Sequence, residues 1–549
     1  MARIAGWFTS GRLYAIGTLL LLCVAIARLV PTYTLFNETS DEPFHIACGM
    51  EWLDQGTYTY ERQHPPLARV AMALGPYLMG SRSQGLKLAT QEGNAILYSG
   101  GDYWRTLTAA RIGNLPFLVI ACAAIFLWGR RWFTTAAGFW AALLFLNLPP
   151  VLGHAGLATL DMACTAAVVV ALYQLMRCLE DPGWRRFLWL GVALSLAFLT
   201  KFSAPGFVLV CGVTAVVYLV LARRQELAKV LRLRPLLGGS ALMLGVIFVL
   251  LWAGYRFHLT PTPIEEGSQE VIDAHLPAGV RNLAYAIAEL PLPLTDMFRG
   301  FGALALHQKT GHENYLFGQF SQYGWWYFFP VALAVKTPIP FLLLSFAGLF
   351  LVLRGMRSRP WPQVLTALFP IAILLTCLSS SIDIGVRHLL PIYPFLALLA
   401  GNAIANSLEG RRPFIAGAAL LLAGWTVAES WIAHPDYLAY FNQLAGSRPE
   451  RILCDSDLDW GQDLNRLSKR LRELGVDRVA IAYFGNAPLE RFDLPQLQPV
   501  MPYDETTGYV AISVRALYLT HAQRGYYDWL WRHQPVERIG KSIYLYDIK

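Results

Sequence analysis

Two consecutive stretches decide how this chain is read: "LYAIGTLLLLCVAIARLVP" (Leu13–Pro31) and, just beyond it, "NETSDEPFHIACGMEWLDQGTYTYERQHPPLARV" (Asn37–Val70). The first is an apolar run of the length a helix needs to cross a bilayer core, about 20 residues. Arg3 and Arg12 precede it, but the run is too long for the apolar core of a signal peptide and has no A-x-A cleavage site. It is therefore read as a retained first span. The second stretch places two adjacent acids, Asp41 and Glu42, one turn past the boundary and a His-Pro-Pro-Leu turn further on. Their meaning depends on which side of the membrane they occupy.

The 549 residues are 55% hydrophobic and only 15% charged, against about a quarter charged in soluble proteins. The formal net charge of +8 lies in short basic clusters between apolar runs, as the positive-inside rule distributes them, and not on a nucleic-acid-binding face. No C-x-x-C spacing occurs among the eight cysteines; Cys48 and Cys454 are the pair outside the apolar runs that could meet. Apolar spans are expected near 13–31, 109–128, 133–151, 162–179, 187–200, 204–222, 236–257, 327–353, 361–379, 389–408 and 413–432, about eleven in all. The basic linkers "GRR" (129–131), "RCLEDPGWRR" (177–186), "ARRQELAKVLRLR" (222–234), "RGMRSR" (354–359) and "EGRR" (409–412) then fall on one side with the N-terminus. That side is cytoplasmic.

The expected fold is a polytopic α-helical membrane domain over residues 1–432, with outer loops at 32–108 and 258–326. An extracytoplasmic α/β domain over 433–549 completes it. In that tail "RILCDS", "RVAIAYFG", "GYVAISV" and "KSIYLYDI" read as strands, and "GQDLNRLSKRLRELG" as an amphipathic helix. The alternating acids of "DSDLDWGQD" (Asp455–Asp463) lack the Gly and Glu of a calcium loop and read as a strand-end turn with a helix cap.

Ionisable residues gather on the outer face. Asp41 and His45 share a helix face if a helix begins at Asp41, within a segment expected to lie amphipathically in the interface. Asp161 starts an otherwise apolar helix, where a charge is costly. Lys201 sits in a tight outer turn, Lys336 lies inside "WWYFFPVALAVKTPIPFLLL", Arg111 opens the second span, and Arg387 and His388 open the tenth. Each has a plainer reading: Asp41 as a helix N-cap, Glu42 as a first-turn acid, the cations as snorkelling side chains. Together they suit a phosphate whose carrier lies in lipid.

Asp41-Glu42 followed by "HPPLAR" (His64–Arg69) resembles the protein O-mannosyltransferase pattern of DE and HPPLGK, and with it the wider GT-C glycosyltransferases that use polyprenyl-phosphate sugars, aminoarabinose transferases included. "AARIGNLP", "TLDMA", "TKFS", "GWWYFFPVALAVKTPIP" and "IGVRHLLPIYPF" resemble further blocks of these enzymes, and "CDSDLDWGQDL" a segment of bacterial members. Ala68 and Arg69 stand where Gly and Lys are usual, and the β-trefoil segment of eukaryotic protein mannosyltransferases does not occur.

The resemblance implies a bacterial inner-membrane enzyme, with inverting transfer from a polyprenyl-monophosphate-linked sugar to a cell-envelope lipid, glycan or protein. It implies Asp41 as general base, with Glu42 holding the acceptor or assisting Asp41. Arg111, Lys201 and Arg387 are then candidates for the departing phosphate, His64 and Arg69 for positioning either the loop or the phosphate, and Asp161, Lys336 and His388 for substrate binding. Some relatives use a divalent cation; Asp41 and Asp161 are the candidate ligands for Mg²⁺ or Mn²⁺. The rival reading is a transporter or flippase of a lipid-linked or small anionic substrate.

Overall fold

A computed structural model describes residues 2–226, 233–261 and 277–549. The middle of the basic linker after residue 222 and part of the outer loop at 258–326 lie outside the described residues. The protein is a multi-span helical membrane protein with a small sheet domain at its C-terminal end.

All eleven segments anticipated as spans are helical, yet not all are straight crossings. Seven helices among the described residues are long and apolar enough to cross a membrane, and two bent pairs raise the number to nine. Thr135–Phe145 and Pro149–Ala155 meet at 69°, and Phe328–Lys336 and Ile339–Arg354 at 115°. The cause lies in the connecting residues: Pro149 and Pro338 push the residues before them out of the α region, so the apolar pattern continues while the helix does not. Trp184–Thr200 and Trp361–Cys377, 17 residues each, account for the remaining segments.

Val386–Glu409 is 94% buried over its apolar window and forms the core of the bundle, whereas Leu236–Gly254, 11% buried, turns its apolar side chains outward as a lipid-facing helix does. Gly401 and Gly348 allow the central packing. A Cβ there would stand 2.4 Å from the Ala137 carbonyl oxygen and 2.0 Å from that of Leu399, so backbones meet where any side chain would separate them.

The first outer loop is not an interfacial flap. Helix Glu42–Met50 is buried through Ile46, Ala47, Cys48 and Met50, packed on Pro66–Leu78 and Ala89–Ser99. Cys48 and Cys454 are both buried free thiols.

In the tail, five strands lie in the order Gln496–Pro499, Arg478–Ala482, Gly508–Ser513, Ile543–Ile548, Glu537–Ile539. The first two pairings are parallel and the others antiparallel. Helix Leu464–Glu473 buries Leu464, Leu467 and Leu471 against the sheet. "RILCDS" is not a strand. It runs as turns, because its polar groups are bound to other parts of the chain: the Ser456 hydroxyl donates to the Ile384 carbonyl, and Asp455 accepts from Arg515 Nε at 2.5 Å.

Candidate active site

A cavity of about 520 Å³ lies where the first outer loop meets the outer ends of several spans. Six of the ten residues singled out from the sequence line it: Asp41, His64, Asp161, Lys201, Arg387 and His388. His45 joins them one turn along from Asp41, as i,i+4 spacing requires. Phe202, Phe207, Phe329, Leu160 and Leu304 supply apolar wall.

Asp41 occupies the N-cap position of Glu42–Met50 but makes no capping hydrogen bond. Instead its Oδ2 accepts from Arg387 Nη1 at 2.8 Å, and the side chain stays 36% exposed. Arg387 is nearly buried, its guanidinium lies 4.3 Å from the Trp460 ring centroid, and its Nε is buried without a partner. Lys201 ends helix Trp184–Thr200 in an extended conformation, which breaks the hairpin between two spans and aims the ammonium at Asp161. Lys201 Nζ donates to Asp161 Oδ1 at 2.6 Å, and His154 Nδ1 stands 4.0 Å from Asp161 Oδ2. The cavity thus holds two ion pairs, one of them with a buried cation whose donors are not all used.

Glu42 and Arg111 are not in the cavity. Glu42 is fully buried; its oxygens accept from Arg111 Nε and Nη2 at 2.8 and 2.7 Å, from Ala158 N at 2.8 Å and from Thr39 N at 2.8 Å. Arg111 gives its remaining hydrogens to the carbonyls of Tyr33, Phe36 and Asn37. Both are saturated, so this geometry gives them no acceptor-holding or phosphate-binding part and makes them the brace of the loop. Lys336 likewise turns away, donating to the carbonyls of Leu438 (2.8 Å) and Asp457.

Arg69 is also fully buried behind the cavity. It donates to Tyr58 Oη at 2.8 Å, to the Glu61 carbonyl at 3.0 Å, to the Glu61 carboxylate and to His45 Nδ1 at 3.3 Å. Tyr58 in turn donates to the His64 carbonyl at 2.7 Å, and Pro66 starts the next helix. This is the loop-positioning alternative for the HPPLAR segment, with the phosphate left to others. Because a guanidinium only donates, His45 must accept at Nδ1 and carry its hydrogen on Nε2. Burial, reinforced by the Arg69 charge, holds the pKa of His45 and His64 well below the usual histidine range, so both imidazoles are neutral near pH 7.

The sequence reading missed Gln63, His307 and Gln308 on the cavity wall and Trp460 behind Arg387. His307 Nδ1 lies 3.3 Å from Gln63 Oε1 and its Nε2 3.1 Å from His312 Nδ1. Neutral polar residues in a long loop carry no signal of their own; only their company in space does.

The suggested metal pair, Asp41 and Asp161, does not fit a divalent ion well. Each carboxylate is engaged by a cation, and among the described residues no three His, Cys, Asp or Glu side chains gather as ligands.

Residues 105–252 match the family model described as dolichyl-phosphate-mannose-protein mannosyltransferase. The resemblance read from the sequence is borne out over that stretch, where the chain is similar to this family. No curated protein sequence matches it. Among solved structures it is similar to ArnT from Cupriavidus metallidurans. With the form bound to undecaprenyl phosphate it has 14% identity and a TM-score of 0.48, covering 96% of this chain and 97% of that one. With the apo form the identity is 14% and the TM-score 0.49, over 99% and 98%. The Archaeoglobus fulgidus oligosaccharyltransferase in complex with Zn and sulfate gives 13% and 0.49, over 93% and 70%.

Proposed function

We propose that this protein transfers a sugar from a polyprenyl-monophosphate carrier to an acceptor hydroxyl at the extracytoplasmic face of the membrane, inverting the anomeric centre. One observation carries the reading: Asp41 is released from capping its own helix and shares a cavity with Lys201 and the incompletely partnered Arg387. A family defined by a polyprenyl-type donor matches the stretch containing Asp161 and Lys201, which supports the same kind of donor here.

In the proposed step the acceptor oxygen attacks the anomeric carbon, and its proton passes to Asp41. The bond from that carbon to the phosphate oxygen breaks with its electron pair, so the carrier leaves as polyprenyl phosphate. Protonation of Asp41 weakens its hold on Arg387, whose charge then faces the departing phosphate together with Lys201. Asp161 keeps Lys201 in place. The neutral His45 offers its Nε2 hydrogen toward the cavity. The acceptor hydroxyl belongs to a cell-envelope lipid, glycan or protein.

The test is an assay of purified protein in detergent with labelled polyprenyl-phosphate sugar and candidate acceptors. Acceptor-dependent release of polyprenyl phosphate, abolished by Asp41→Asn, is the expected result. Return of intact donor would mark a carrier and overturn the proposal.

A further inference from the structure

The two members of the Asp41–Arg387 pair are 346 residues apart and carried by unrelated elements. What brings them into register is a third element, the acidic loop of the tail. On the Asp41 side, the Ser40 backbone N–H donates to the Trp460 carbonyl at 3.0 Å. Asn486, from beyond the first strand of the tail, donates to the Ser40 carbonyl at 2.8 Å. On the Arg387 side, Val386 N donates to Asp457 Oδ1 at 3.0 Å, and the Ser456 hydroxyl to the Ile384 carbonyl. Gly385, between them at φ +153°, would place a Cβ only 2.6 Å from Ser456 Oγ, so the Ser456 side chain packs directly on the Gly385 backbone. Lys336 fixes the loop from the membrane side through the Asp457 carbonyl.

Trp460 touches both sides. Its carbonyl holds Ser40 and its ring covers the face of the Arg387 guanidinium. An indole over a desolvated guanidinium fixes the plane of the cation and leaves its edge for an anion. We infer that the loop Asp455–Gly461 is a positioning element of the site and that Trp460 is its central positioning residue, setting the aim of Arg387 toward Asp41 and the leaving phosphate.

This inference rests on the sugar-transfer reading. It is tested on the full-length protein in detergent with labelled polyprenyl-phosphate sugar, comparing wild type, Trp460→Leu, Trp460→Phe and Ser456→Ala. Trp460→Leu is expected to lower kcat about 10²-fold, the scale of a misplacement of about 1 Å. The donor KM should rise far less, because Lys201 remains. Trp460→Phe, which keeps an aromatic face, should recover most of the turnover. Wild-type kcat and KM in folded Trp460→Leu would overturn the inference. So would equal loss of melting temperature in both Trp460 variants with unchanged turnover per folded molecule, since that is a merely structural role. Should Trp460→Leu not fold, Ser456→Ala is read in its place: lowered kcat at unchanged melting temperature supports the inference, and unchanged kcat overturns it. A wild type that releases no polyprenyl phosphate with any acceptor overturns the function and this inference together.

Discussion

Asp41 and Glu42 are neighbours in sequence and carry the same functional group, yet they live in opposite circumstances. Glu42 has its oxygens filled by a buried arginine and two backbone amides. Asp41 has one oxygen on Arg387 and the rest of the carboxylate facing a cavity. A saturated carboxylate has no lone pair to offer a substrate; a half-engaged one still has. The difference between bracing and proposed chemistry lies in what else is bonded, and not in residue type.

Substitution of the two acids is the sharpest way to break this contrast. Asp41→Asn is expected to lower turnover by ~10²–10⁴-fold with little change in melting temperature, measured by acceptor-dependent release of polyprenyl phosphate. Arg387→Leu should cost about 10²–10³-fold in the same assay, the loss of one charge-stabilising donor. Glu42→Gln should act on the other axis. Removing one partner of a buried pair destabilises by about 3–5 kcal/mol, so a thermal melt in detergent should show a large drop, with activity lost only as folded protein is lost.

A smaller effect separates the neutral histidines from the carboxylates. His45 and His64 titrate lower in the folded protein than in the unfolded chain, so below about pH 6.5 the unfolded state binds more protons. Their contribution to stability is complete above that pH and is lost as the pH falls toward their folded values. The melting temperature should decline between pH 7 and 5, and His45→Gln should flatten the decline. The smallest expected effect is that of chelation: with Asp41 and Asp161 both taken by cations, exhaustive EDTA treatment should leave turnover within a factor of about two, far below the ~10² of a catalytic group.

The helices were legible because lipid demands long apolar runs, and the loop with Asp41 was legible because polar residues have no other reason to collect at one interface. The bends were not, since "VALAVKTPIPFLLL" keeps its hydropathy through the 115° turn. Nor was the fate of Arg111: it opens a span much as Arg387 does, and only the arrival of Glu42 and three carbonyls from the first loop takes it out of the cavity. The acids of the tail were visible as a pattern but not as a purpose. Asp455, Asp457 and Asp463 each serve a different distant segment, Arg515, Val386 and Ser542 respectively, a division of labour that no local spacing encodes.

Asn37, in the first outer loop, reaches far along the chain. Its side chain donates to the Gly461 carbonyl at 2.8 Å and accepts from Leu464 N at 2.8 Å, partners made more than 400 residues later in the chain. A ribosome therefore releases the beginning of this pocket long before its closing piece exists. Until the C-terminal residues have folded back, the early loop lacks these two hydrogen bonds.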